Sequence, residues 1–113
     1  MSKFDKKVAF YKKFMDDRGL RSNADLLAAV TKGLGPSIYK VDAETVSGSD
    51  PKELATVRNN FLIKKLGLAD TKELDASIDE VMKRIGVSER KNYRAVMYYL
   101  LVKKFGKESI YGM

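Results

Sequence analysis

The chain contains neither cysteine nor histidine. Without cysteine there is no disulfide, no thiolate nucleophile and no sulfur ligand for a metal. Without histidine the commonest general base, zinc ligand and physiological pH switch are missing as well. Ser-His-Asp and Cys-His catalysis are excluded, together with the usual zinc sites. Only two prolines occur, and no window is biased enough to be low-complexity. Long apolar runs are also lacking. Nothing approaches the length of a membrane span, and residues 2–13 mix aromatics with charges where a signal peptide would be uniformly apolar. The expectation is a cytoplasmic chain with no membrane association, a setting that the lack of cysteine suits.

What is present describes a globular protein. Of 113 residues, 44% are apolar and 33% charged, a balance unlike that of disordered chains. A chain of this size buries roughly two-thirds of the surface it exposes when unfolded, so residues 1–113 are read as a single helical domain. The net charge is +7, which points to nucleic acid or another anionic surface only if the bases are gathered rather than scattered.

Helix signals dominate. Phe4, Val8, Tyr11 and Met15 recur at helical spacing and define a first helix over Lys3–Asp17, closed by Gly19. Phe10 and Phe14 widen its apolar face. Ser22 is read as the N-cap of a short second helix ending near Lys32, before Gly33, Gly35 and Pro36. Residues 37–49 carry no clear period and are expected to form one or two short helical turns. Asp50, Pro51 and Glu53 then spell a capping box, opening a helix that turns Leu54, Val57, Phe61 and Leu62 inward and stops at Gly67. Asp70 and Glu73 suggest another box, ahead of an amphipathic helix with Leu74, Ile78, Val81 and Ile85 on one stripe and Gly86 at its end. Ser88 is read as the cap of a last helix reaching Phe105, whose apolar residues cover nearly its whole circumference. Such a helix is buried on several sides. The fold class is therefore all-α, a compact bundle of about five helices around a central C-terminal helix.

The segments 62–67, 81–86 and 101–106 share one pattern of two apolar residues, two bases, an apolar residue and a glycine. This is helix-ending chemistry, since bases in a last turn complement the dipole and glycine supplies the left-handed cap. Six of the 22 basic residues are accounted for in this way, which weakens the nucleic-acid reading.

The stretch Gly33-Leu34-Gly35-Pro36-Ser37-Ile38-Tyr39, the run 49–68 (SDPKELATVRNNFLIKKLGL) and the run 93–109 (YRAVMYYLLVKKFGKES) together resemble a family of small bacterial proteins that make up a domain of unknown function. The resemblance implies a compact helical fold and a bacterial cytoplasm. It carries no activity and assigns no residue a role.

The candidate sites follow from charge placement. Arg90, Lys91 and Arg94 fall in the expected first turn of the last helix, where bases oppose the dipole unless an anion sits nearby. The plainer alternative leaves Arg90 and Lys91 solvated and pairs Arg94 with an acidic neighbour. Lys6, Lys7, Lys12 and Lys13, interleaved with Phe4, Phe10, Tyr11 and Phe14, would present a basic aromatic face suited to a membrane surface or to stacked single-stranded bases; as a plain alternative, the rings are core or dimer interface and the lysines are solvated over its edges. Gly33 to Ser37 lacks the spacing and lysine of a phosphate-binding loop. Asp75, Asp79 and Glu80 on one helix do not complete a metal shell. No metal site and no cofactor is expected. With no readable constellation of acid, base and nucleophile, the chain is not read as an enzyme. The leading expectation is a protein-interaction or self-associating module, a homodimer, with Phe10, Phe14, Tyr98 and Tyr99 at the interface. A nucleic-acid or anion-binding protein is the alternative.

Overall fold

The computed structural model describes residues 2–86 and 92–112. Helix α1 spans Lys3–Asp17, and Ser2 and Asp5 close a capping box at its start. Gly19 then takes a positive φ that turns the chain. Helix α2 is Ala24–Gly33. Its N-cap is Asn23, not Ser22. The Asn23 side chain accepts from the Asp25 and Leu26 amides, whereas the Ser22 hydroxyl accepts from Lys12 Nζ.

The segment with no clear period folds as short turns: a 3-10 turn at Gly35–Tyr39 and a single α-turn, α3, at Val41–Glu44. Asp50 caps α4, Pro51–Thr56, with Pro51 in the first turn. The expected capping box does not close. The Asp50 amide donates to the Ser47 carbonyl, and Glu53 instead accepts from the Ser47 amide at 3.3 Å. Helix α4 runs on as a π-helical stretch, Val57–Lys65, which still buries Val57, Phe61 and Leu62. Helix α5 covers Lys72–Ile85 and buries the expected stripe of Leu74, Ile78, Val81 and Ile85. Its N-cap position is Thr71, and Asp70 is drawn away by an ion pair with Arg58.

Helix α6, Arg94–Phe105, starts later than the pattern suggested. Tyr93 is extended and bridges antiparallel to Thr45, while the Val46 amide donates to the Asn92 carbonyl at 2.8 Å. Ser88, the expected cap, lies outside the described residues. A last 3-10 turn occupies Glu108–Tyr111. The described chain is thus all-α, a helical bundle with six α-helical segments and no named strand.

Every residue from Ala95 to Val102 is buried. The helix is central because it has no polar stripe to turn to water, and α1, α2, α3 and α5 all pack against it. Its tyrosines find polar partners inside. The Tyr99 hydroxyl accepts the Asn23 amide at 2.7 Å, and the Tyr98 ring stacks on Phe61 with centroids 3.8 Å apart. The three glycines of the repeated ending, Gly67, Gly86 and Gly106, all have positive φ, so the shared pattern does end helices. No helix among the described residues is long and apolar enough to cross a membrane.

Candidate functional site

The cations singled out by sequence have different fates. Arg94 turns inward with its side chain 14% exposed. Its Nε donates to the Ala43 carbonyl at 2.9 Å, one terminal nitrogen to the Tyr98 hydroxyl at 3.1 Å, and the other reaches Glu53 at 3.5 Å. Placed at the first position of α6, the guanidinium fastens the 41–53 segment to the central helix and has little left for an external anion. Arg90 and Lys91 lie outside the described residues.

On α1, Lys12 and Lys13 pair with Asp16 and Asp17 one turn on, at 3.3 and 3.0 Å. Lys7 reaches across to Glu44 of α3 at 2.7 Å, and the same carboxylate oxygen accepts from the Tyr11 hydroxyl at 2.5 Å. Burial, and then the bond to Glu44, hold the Tyr11 phenol well above its ordinary range. Lys3 and Lys6 have no carboxylate partner among the described residues.

The aromatics divide in the same way. Tyr98, Tyr99 and Phe14 are buried within the chain, which corrects their place at an interface: neighbouring helices already cover them. The Tyr93 ring gathers Phe10, Tyr11 and Phe14 around itself at centroid distances of 5.0–5.5 Å, and Arg18 stacks over Phe14 at 3.6 Å. Phe10 alone of this cluster keeps much of its ring in solvent, at 48% exposure, matched by Tyr39 at 48%. Phe10 and Tyr39 share a shallow groove of about 360 Å³ with Lys3, Lys6 and Lys7. The basic aromatic face thus survives only at the first two turns of α1, joined there by Tyr39. Sequence reading missed Tyr39 because it sits in the 3-10 turn, where no period marks a face.

A second concavity, of about 770 Å³, lies between the 41–53 segment and the C-terminal part of α5. Its walls include Asp42, Ser47, Ser49, Glu53, Asp79 and Asn92. Asn92 is 8% exposed, and its Oδ1 accepts no hydrogen bond. An unpaired buried acceptor costs on the order of 1–3 kcal/mol, so this side chain is unfinished as the chain stands. Nothing local announces Asn92 in the sequence, since its burial follows from the long-range bridge at Tyr93.

The other charged clusters are internally matched. Asp75 pairs with Arg58, Asp79 with Lys83, and Glu80 with Lys104. The Lys104 ammonium holds Glu80 below the usual carboxylate range. Among the described residues no group of acidic side chains could hold a metal ion.

The family described as "protein of unknown function (DUF2853)" matches residues 9–109. No curated protein matches the chain. The match spans most of the sequence, and the chain belongs to this family of unknown function.

Proposed function

We propose that this member of the family is a non-enzymatic binding module that docks an acidic segment of a partner protein on the groove between Phe10 and Tyr39. One observation carries the reading. The half-exposed aromatics of that groove sit beside two lysines, Lys3 and Lys6, that have no carboxylate partner among the described residues. An apolar side chain entering the groove would cover both rings, and flanking carboxylates would meet the ammonium groups. Phe10 is already braced edge-on against Tyr93 at 5.2 Å, so little ordering cost attaches to it. A second copy of this chain is a poorer occupant, because apposed faces would bring like charges together. The reading includes a cytoplasmic setting, which a chain without cysteine suits.

The test is an NMR titration of the full chain with a random copolymer of glutamate and tyrosine, and separately with oligothymidylate. The reading expects shifts at residues 3–10 and 39 with the copolymer, weakened but retained at physiological salt because part of the contact is apolar. Replacing Phe10 and Tyr39 together by alanine should remove them. Silence at these positions sinks the reading, and binding of oligothymidylate alone would replace it with single-stranded nucleic acid.

A further inference from the structure

We infer, on the premise that the Phe10–Tyr39 groove docks an acidic segment, that Glu44 is an autoinhibitory contact at this groove, a carboxylate of the chain itself from which the incoming segment takes Lys7. Lys7 belongs to two structures at once. It lines the groove with Lys3 and Lys6, and of these three lysines it is the one held by a carboxylate among the described residues. Glu44 Oε2 accepts from Lys7 Nζ at 2.7 Å and from the Tyr11 hydroxyl at 2.5 Å. The carboxylate reaches Lys7 from α3, the turn that follows Tyr39, and Tyr39 is itself a wall of the groove. Glu44 thus does from within what a partner's carboxylate would do from without.

Sharing Lys7 between the two is unfavourable. The ammonium has donors enough for two carboxylates. However, the Glu44 side chain is only 15% exposed, and repulsion between neighbouring carboxylates is weakly screened at such a place. Once Lys7 turns to the partner, Glu44 keeps the Tyr11 hydroxyl but has lost its counter-charge, and a largely buried carboxylate in that state is driven toward water.

Helix α3 has little else to hold it. It is one turn, Val41–Glu44, with no buried residue and no side-chain N-cap. Polar ties secure it: the Glu44 bonds, and the Arg94 Nε that donates to the Ala43 carbonyl. Elements with few apolar contacts open at low cost. Immediately beyond, Thr45 is bridged to Tyr93 and Val46 is buried, so the loosening ends there. By linkage the effect is reciprocal: an occupied groove loosens α3, and a loosened α3 frees Lys7 for tighter binding.

The glutamate–tyrosine copolymer, titrated by NMR into the full chain and two variants, separates competition from bulk charge. Glu44→Gln keeps an acceptor for Tyr11 and removes the charge. Asp42→Asn removes an equal charge from an exposed position of the same turn. Affinity should rise about fivefold or more in Glu44→Gln, and less than about twofold in Asp42→Asn, whose charge is screened by solvent. In the unsubstituted chain, saturating copolymer should quicken hydrogen exchange at the Ala43 and Glu44 amides, which donate to the Lys40 carbonyl. That readout needs no variant and decides the matter if Glu44→Gln fails to fold. Equal gains in both variants, an unchanged or lower affinity in Glu44→Gln, or unaltered exchange in α3 would each overturn the competition and leave the docking groove standing. Absence of copolymer binding to all three chains would overturn both.

Discussion

The first two turns of α1 and the whole of α6 draw on the same materials, aromatics and lysines, and use them in opposite ways. In α6 the rings of Tyr98 and Tyr99 are buried and their hydroxyls are bonded to Arg94 and the Asn23 amide. The lysines at its end, Lys103 and Lys104, pair with Glu108 and Glu80. At the start of α1, Phe10 keeps half its ring in water and Lys3 and Lys6 face no carboxylate among the described residues. The difference lies in the neighbours. Apolar residues on every side of α6 recruit a wall of helices, while Phe10 has the Tyr93 cluster beneath it and open groove above. Residue type alone therefore does not separate core from exposed face; what packs on the other side does.

The sharpest way to break the comparison is to truncate one buried residue of α6. Leu101 is 0% exposed, and Leu101→Ala should cost about 2–5 kcal/mol in denaturant unfolding. A loss under 1 kcal/mol would mean that α6 is not the centre of the fold. Next in size is Arg94→Met, which removes bonds to Ala43, Tyr98 and Glu53 and should cost about 1.5–3 kcal/mol. Faster amide exchange over residues 41–53 should accompany it, since Arg94 ties that segment to α6.

Tyr11→Phe should cost about 1–2 kcal/mol near neutrality, through the lost bond to Glu44. Its alkaline behaviour sharpens the point. Because the folded phenol titrates above the unfolded value of about 10, its contribution is intact below that pH. As the pH climbs further, the unfolded chain gives up its proton first, and the contribution drains away. The phenylalanine variant should therefore show a flatter loss of stability above pH 10. The smallest effect belongs to Lys6→Glu, an exposed site on α1, with a change within about 0.5 kcal/mol.

Much of this architecture is legible locally. The stripe of Phe4, Val8, Tyr11 and Met15 marks α1 at its observed bounds, and the glycines at 67, 86 and 106 end helices as their pattern suggests. Those signals are read within one or two turns, where sequence and structure share a ruler. The failures have a common cause. Asp70, Glu53 and Ser22 each look like caps, and each is claimed by a partner or displaced by a neighbour that local spacing does not reveal. Likewise α6 begins at Arg94 because Tyr93 is held extended by Thr45, a residue far away in the chain. For the candidate site, Phe10, Lys6 and Lys7 were visible as a helical face, whereas Tyr39 and Asn92 depend on tertiary placement.

The central claim is that the Phe10–Tyr39 face serves binding and not folding. It is tested most directly by measuring denaturant stability and glutamate–tyrosine copolymer affinity on one protein, the Phe10→Ala, Tyr39→Ala double variant. The account predicts a stability loss well below that of Leu101→Ala, together with loss of copolymer binding. A stability loss equal to that of the α6 variant, with affinity for the copolymer retained, would contradict it.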